Sequence, residues 1–164
     1  MESVKREVEL KEAKSISELS TSDRELLEAA KAALDGAWAP YSQFYVAAAV
    51  RLANGELIIG SNQENMAYPS GLCAERVAIF SAGARFPGVP VEAIAVTAKS
   101  PGLLLDKPVL CCGACLQSLS EYEKRYQQPM HMVLQGDSGP VWIAEGTKTF
   151  LPFQFDGEAL KNEN

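Results

Sequence analysis

Three cysteines and one glutamate form the part of this sequence whose residue types and spacing suit metal chemistry. They lie in two segments, Cys73-Ala74-Glu75 and Cys112-Gly113-Ala114-Cys115. Three thiolates leave one position open on a tetrahedral zinc ion, and hydrolytic zinc sites keep that position for water. Residues two apart on a helix point about 200° from one another, so Glu75 would flank the metal and carry protons rather than bind it. The two segments therefore predict a hydrolytic zinc site.

Two other uses of the cysteines stay open at this point. A Cys-x-x-Cys pair also occurs at redox sites and at structural zinc sites. The remaining cysteine, Cys111, could close a four-sulfur structural site, but it and the adjacent Cys112 would then have to face one metal from neighbouring positions. Cys111 also lies four residues before Cys115, and these two cysteines could compete with the pair Cys112 and Cys115 for the metal. The upstream Cys73-Ala74-Glu75 segment favours catalytic zinc over these alternatives.

The composition of the chain narrows the class of protein. A chain of 164 residues, 47% of them hydrophobic, suits one domain with a core of its own. The formal net charge is −6, and no cluster of Lys and Arg is interleaved with aromatic residues, so we expect a small neutral substrate and no nucleic-acid partner. Residues 1–14 contain no uninterrupted hydrophobic run, which argues against a signal peptide or a membrane span. Because the four cysteines are confined to 73–115, we expect a reduced compartment, by default the cytoplasm.

Hydrophobic periodicity predicts the elements that must position these residues. Helices are expected at 23–35, 73–84 and 113–126, and strands at 44–52, 57–59, 91–98, 130–134 and 141–144. Asp23 is the expected N-cap of the first helix, and Asn54-Gly55 is expected to form a type I′ hairpin turn. The alternation of helices and strands in the middle of the chain predicts an α/β fold with one mixed sheet of about five strands. We expect residues 1–22 to be an N-terminal extension and 23–164 to form a single domain.

Both cysteine segments are expected at helix starts, where unpaired backbone amides lower the pKa of a thiol. Three thiolates around zinc would still leave the centre short of positive charge, so a nearby cation is needed. Arg76 directly follows Glu75 and could donate hydrogen bonds to the ligand sulfurs. A lone arginine is more often part of a surface ion pair, but its position in the motif favours support of the metal ligands.

Taken in order, several blocks of this sequence resemble the cytidine deaminases of the small, three-cysteine, homotetrameric type. The resemblance covers about residues 23–155. Besides the two cysteine segments with Arg76 and Gln117, it is carried by Ala39-Pro40-Tyr41-Ser42 with Phe44, Val46 to Ala49, Asn62-Gln63-Glu64-Asn65 with Ala67-Tyr68-Pro69, and Leu151-Pro152 with Phe155. Each block is weak alone, whereas all of them in this order are specific.

The resemblance implies a three-layer α/β/α fold and hydrolytic deamination of cytidine and 2′-deoxycytidine to uridine and 2′-deoxyuridine, with release of ammonia, in pyrimidine salvage. It implies a Zn²⁺ cofactor held by Cys73, Cys112 and Cys115, with Glu75 moving protons between water and the base. It further implies substrate contacts from Phe44, Asn62, Glu64, the backbone amide of Ala74, Tyr68 and Phe155. Tyr68 and Phe155 match positions that family members present to a neighbouring subunit's pocket, so a homo-oligomer, a tetramer, is expected.

Three positions depart from the family pattern. Cys111 stands where the family usually has proline, Leu116 where it usually has arginine, and Ala47 where it usually has glycine. The first leaves the choice of ligand thiols open, and the second removes a cation near an anionic zinc site. Two related alternatives therefore stay open: an aminonucleoside deaminase of the blasticidin S type, and a zinc-stabilised scaffold without turnover. His131, the only histidine, follows no acidic neighbour in sequence and is assigned no catalytic role.

Overall fold

The structure, a computed structural model, describes residues 1–157. Within that part of the chain, three α-helices pack on one six-stranded sheet. The helices are α1 (Thr21–Ala32), α2 (Ala74–Arg85) and α3 (Gly113–Tyr126). The strands are β1 (Lys11–Ala13), β2 (Tyr45–Leu52), β3 (Leu57–Ser61), β4 (Val91–Lys99), β5 (His131–Gln135) and β6 (Val141–Glu145). The predicted order of elements is confirmed, and β1 is the strand that the hydrophobic pattern did not predict.

The sheet is mixed, with the strand order β1-β6-β5-β4-β2-β3. Only β4 and β5 pair in parallel; the other four pairs are antiparallel. α3 makes the crossover between the two parallel strands, as the alternating pattern predicted. This connection places the start of α3 beside the start of α2, which follows the β2–β3 hairpin.

Alternating side chains on the strands build the three layers. Ala48, Val50 and Val96 face α2 and α3 and join the larger core, whereas Ala49 and Ala95 face α1 and join the smaller one. The predicted α/β/α arrangement is therefore confirmed, with α1 alone on one face and the two cysteine-bearing helices together on the other. The helix starts that carry Cys73, Cys112 and Cys115 therefore lie on a well-packed layer.

The turn of the β2–β3 hairpin differs from the predicted type I′ turn. Gly55 has a φ of 86°, but Asn54 is not among the positive-φ residues that a type I′ turn requires. Instead, the Gly55 amide donates to the Leu52 carbonyl at 2.9 Å, and the Asn54 side chain accepts from the Glu56 amide at 3.2 Å. Self-capping by the asparagine side chain favours this longer loop over the two-residue turn.

The N-cap predicted for α1 was wrong by three residues. Ser20 is the N-cap, and its hydroxyl accepts a hydrogen bond from the Asp23 amide at 3.1 Å. The freed carboxylate of Asp23 lies 2.9 Å from Nε2 of His131, while Nδ1 of His131 lies 2.6 Å from Glu145. His131 therefore has two acidic neighbours that sequence separation concealed, and it joins α1, β5 and β6.

Part of the predicted N-terminal extension belongs to the sheet. β1 pairs with the outer edge of β6, and the Trp142 indole N–H donates to Glu12 at 2.8 Å. A covered edge strand has fewer free backbone groups for unwanted pairing. The division of the chain into 1–22 and 23–164 stays a prediction, and its last part, 158–164, lies outside the described residues. None of the helices within 1–157 has the length and apolar character needed to cross a bilayer.

Candidate metal centre and substrate pocket

The two cysteine segments lie at facing helix N-termini. Cys73 is the N-cap of α2 and Cys112 is the N-cap of α3, while Cys115 lies in the first turn of α3. Gly60 on β3 permits this approach, because a Cβ atom there would lie 2.5 Å from both the Ala74 carbonyl oxygen and the Ala78 amide nitrogen. The sheet and α2 therefore meet at van der Waals distance next to the first ligand.

The donor set fits zinc. The Sγ atoms of Cys73, Cys112 and Cys115 all lie within 4.8 Å of one another, and no other described residues form such a group. Zn–S bonds of about 2.3 Å in a tetrahedral site need sulfur atoms close together on one side of the metal, as these are. Cys111 lies outside the group, so within residues 1–157 the closed four-sulfur alternative finds no support. These three residues would hold the ion.

The thiols share protons unequally. The pKa of Cys73 is lowered to about 5, first because Cys115 donates a hydrogen bond to its sulfur and then because of Arg76. Nη2 of Arg76 lies 3.6 Å from Sγ of Cys73. The pKa of Cys115 is raised by the same bond to Cys73 and by burial. Cys73 therefore carries the negative charge in this pair, and the arginine lies where a compensating cation is needed.

Glu75 lies buried beside the three sulfurs but is not one of the grouped ligands. Its exposed fraction is 4%, and burial is the main reason that its pKa is raised. The Cys111 thiol, itself 7% exposed, interacts with the Glu75 carboxyl group, and burial raises the pKa of that thiol well above its ordinary value. Burial thus makes the Glu75 carboxylate a stronger base than an exposed glutamate, which suits a group that takes up and passes on protons.

A cavity of about 670 Å³ opens in front of this centre. Of the predicted site residues, it is lined by Cys73, Glu75, Arg76, Cys112, Phe44, Asn62, Glu64 and Tyr68. Its volume and its few convergent polar groups are typical of a small-molecule site. The structure thus brings eight of the predicted residues to one cavity.

Hydrogen bonds to neighbouring backbone and hydroxyl groups fix the two polar side chains, Glu64 and Asn62, at one end of the cavity. Glu64 accepts a hydrogen bond from the Ser42 hydroxyl and another from the Tyr41 amide, the second at 2.9 Å. The Ser42 hydrogen bond is the main reason that the pKa of Glu64 is lowered, so this side chain is a fixed carboxylate. Asn62 donates to the Phe44 carbonyl at 2.9 Å and accepts from the Val46 amide at 2.8 Å. The Asn62 amide thereby fixes the backbone on either side of Tyr45.

Three of the predicted substrate residues occupy other kinds of position. Ala74 is fully buried as the first residue of α2, where a backbone N–H has no acceptor within its own helix. Tyr68 borders the cavity but is 74% exposed, with its ring edge-on to Tyr41 at 6.1 Å. Phe155 is 68% exposed and is not among the described residues that line the cavity. Its backbone is held by Gln117 instead.

Sequence reasoning did not assign roles to Gly60, Ser42, Gln117 or the Cys111 thiol. Each acts through a contact between residues far apart in the chain, such as Ser42 and Glu64, which are 22 positions apart. The only signal in the sequence was membership of the resemblance blocks, which contain Ser42 and Gln117. Nothing in local periodicity marks a glycine that lies against a helix start.

The fold and the centre together define a zinc-dependent enzyme with a small-molecule pocket. The family model described as the cytidine and deoxycytidylate deaminase zinc-binding region matches residues 20–127. The chain belongs to the cytidine and deoxycytidylate deaminase family. The match spans all three ligands and Glu75, and the family is hydrolytic, in agreement with the zinc chemistry that the cysteine spacing predicted.

Individual relatives extend the match over most of the chain. A cytidine deaminase of Halalkalibacterium halodurans is 37% identical over 144 residues, which cover 85% of this chain and 99% of that protein. A cytidine deaminase of Sporosarcina psychrophila is 36% identical, covering 82% of this chain and 92% of that protein. The crystal structure of cytidine deaminase from Burkholderia pseudomallei superposes with a TM-score of 0.70 at 37% identity, covering 84% of this chain and all of that one. The predicted family resemblance is confirmed.

Proposed function

We propose that this protein removes the amino group of cytidine and 2′-deoxycytidine by hydrolysis, giving uridine or 2′-deoxyuridine and ammonia, as a step of pyrimidine salvage. The observation that carries the proposal is one cavity lined by Glu75, by the fixed carboxylate of Glu64, and by Cys73 and Cys112, two members of the three-sulfur group. One end of the cavity suits hydrolytic chemistry, and the other suits the hydroxyl groups of a sugar. A nucleoside spans both ends.

Zinc held by Cys73, Cys112 and Cys115 would supply the Lewis acid that activates water. Glu75 is the proton carrier in this proposal. Burial raises the pKa of its carboxyl group, so the group can accept a proton from the attacking water and deliver it to N3 of the cytosine ring. After attack at C4, the same carboxyl group helps to protonate the departing amine. Arg76, at 3.6 Å from the Cys73 sulfur, offsets the charge of the thiolates.

The remaining lining residues would bind and orient the nucleoside. Glu64, fixed by Ser42, would accept hydrogen bonds from a ribose hydroxyl, and Asn62 would offer its second amide hydrogen beside it. Phe44 would contact the face of the pyrimidine, and the free amide of Ala74 would donate to the carbonyl edge of the base. Phe44 directly precedes β2, Asn62 directly follows β3, and Ala74 begins α2, so these groups start from ordered backbone, which limits the entropy lost on binding.

We further propose that the working form is a homo-oligomer, a tetramer, in the cytoplasm. Exposed apolar side chains line the cavity, including Tyr41, Tyr68, Leu72 and Leu110. A patch of this kind is typical of a surface that another chain covers. Tyr68 and Phe155 would complete the pocket of a neighbouring copy. All four cysteines are free, as a reduced compartment keeps them.

The experiment is a turnover assay on zinc-loaded protein. Cytidine, 2′-deoxycytidine and an aminonucleoside antibiotic of the blasticidin S type are each supplied, with ultraviolet absorbance and ammonia release measured in parallel. We expect loss of cytidine and deoxycytidine in step with ammonia. Turnover of the antibiotic alone would show that the protein is an aminonucleoside deaminase and not a cytidine deaminase. No turnover of any of the three compounds at full zinc occupancy would favour a zinc-stabilised scaffold.

A further inference from the structure

Helix α3 carries a second functional side chain close to the metal ligands. Gln117 lies two residues after Cys115 and is half-buried. Its Nε2 donates to the Phe155 carbonyl at 2.7 Å, and its Oε1 accepts from the Phe155 amide at 3.2 Å. One carboxamide therefore pairs with both backbone groups of a residue 38 positions away, in the manner of a neighbouring strand.

This pairing holds a segment that has little other regular structure. The chain leaves β6 through a 3₁₀ turn at Thr147–Thr149, and residues 151–157 form no helix or strand. Glu123 anchors the start of the segment, since its carboxylate accepts from the Thr147 amide at 2.9 Å and from the Thr147 hydroxyl. The Gln117 contact anchors it again eight residues later. Both anchors project from α3.

The Phe155 ring itself remains outward. Phe155 is 68% exposed although its backbone is held on both sides, and it does not line the cavity of its own chain within the described residues. An exposed aromatic ring on a fixed backbone loses little conformational entropy when another surface covers it. The hydrogen bonds to Gln117 fix the backbone from which the ring projects, and the ring itself stays exposed.

We propose that Gln117 is a positioning residue that presents Phe155 to the pocket of a neighbouring copy of this chain. The inference rests on the proposed function, in which Phe155 completes that pocket. Gln117 and Cys115 both lie in the first two turns of α3. The same helix would therefore hold a metal ligand of its own pocket and position the Phe155 ring for the pocket of the neighbouring copy. Gln117 would act on substrate binding through Phe155 and not on the metal.

The anchor is tested without turnover by hydrogen–deuterium exchange on the zinc-loaded full chain. Gln117→Met keeps the size of the side chain but removes both hydrogen bonds to Phe155 and a long one, at 3.4 Å, to the Ser120 hydroxyl. Gln128→Met makes the same change at an exposed site just after α3. We expect exchange in 151–157 to become about 3- to 10-fold faster in Gln117→Met only. Gln117→Ala, which favours the helix, should do the same. Unchanged exchange in both Gln117 variants would overturn the anchor.

The functional consequence is tested by a double-mutant cycle with Phe155→Ala. Gln117→Met should raise KM for cytidine about 3- to 10-fold, with kcat within about two-fold and zinc content unchanged. In the Phe155→Ala background, the same substitution should have no further effect on KM. An equal rise of KM in both backgrounds, or a loss of zinc, would show that Gln117 supports the helix and not Phe155. Failure of the wild type to turn over any nucleoside would reject the proposed function, while the exchange result still decides the anchor.

Discussion

The guanidinium of Arg76 donates from Nη2 to the sulfur of Cys73 across 3.6 Å, and the two residues lie one helical turn apart at the start of α2. This contact places a permanent cation against an anionic ligand set. It also supports a set of three thiolates although Leu116, next to Cys115, supplies no charge.

Removing that cation should weaken zinc binding. The lowered pKa of Cys73, about 5, comes first from the Cys115 hydrogen bond and next from Arg76, so Arg76→Gln should raise it part of the way toward 9.0. Protons then compete with zinc for the Cys73 sulfur at higher pH values. On acidification, the variant should therefore lose zinc at a higher pH than the wild type. We expect about tenfold weaker zinc binding at neutral pH, measured by chelator competition. Arg85→Gln, at the exposed end of the same helix, should bind zinc as the wild type does.

Glu75→Gln should separate catalysis from stability. Loss of the proton carrier should lower kcat by about 10²- to 10⁴-fold with zinc content unchanged. Because burial raises the folded-state pKa of this acid, the folded protein loses stability as pH rises from 4.5 through the folded pKa. The neutral amide avoids that loss, so urea unfolding at pH 7 should show equal or greater stability. Retained turnover would contradict the role of Glu75, and Glu92→Gln, at an exposed position near the start of β4, is the matched control.

Ser42→Ala should weaken nucleoside binding and leave zinc binding unchanged. The serine hydroxyl is the main cause of the lowered pKa of Glu64, so its removal should raise that pKa toward 4.5. A lowered pKa keeps the Glu64 carboxylate charged at pH values where an ordinary glutamate is already partly protonated. In the variant, Glu64 should become protonated at a higher pH than in the wild type. We expect KM for cytidine to rise about 3- to 10-fold and to climb at a higher pH on acidification. Ser70→Ala, in the exposed loop before α2, should leave KM unchanged.

Zinc stoichiometry should distinguish the two adjacent cysteines. The sulfur of Cys112 belongs to the three-sulfur group, whereas burial beside Glu75 raises the pKa of Cys111 and keeps it a neutral thiol. Cys111→Ser should therefore retain one zinc per chain, and Cys112→Ser should lose it. Metal analysis of the purified variants decides between them. The reverse result would exchange the two residues in the ligand set.

Gly60→Ala should disturb the metal centre from the sheet side. A methyl group at this position would lie 2.5 Å from backbone atoms of Ala74 and Ala78, so α2 must move away from β3. We expect a loss of about 1 to 3 kcal/mol of unfolding free energy and weaker zinc binding, measured by urea titration and chelator competition. Ile59→Ala, at an exposed position on the same strand, should change zinc binding little. Zinc affinity equal to wild type in Gly60→Ala would show that the helix start tolerates the shift.

Much of the fold followed from periodicity because its long elements carry strong patterns. α3 begins and ends where the pattern predicted, at Gly113 and Tyr126. β1 was missed because Lys11–Ala13 is three residues long and gains its structure only from pairing with β6. The α1 cap was misplaced because Ser20 and Asp23 are both good N-cap residues, and in the structure Ser20 caps the helix while Asp23 contacts the distant His131.

The sequence by itself determined the chemistry of the centre. Thiols at helix starts and an adjacent glutamate predict a zinc site with a proton carrier, because the spacing of these residues and the helix N-termini are local properties. Only the tertiary structure decided that Cys111 contacts Glu75 instead of joining the sulfur group, that Ser42 fixes Glu64, and that Gln117 holds Phe155. Those contacts join residues distant in the chain, and their partners are set by how the helices pack on the sheet.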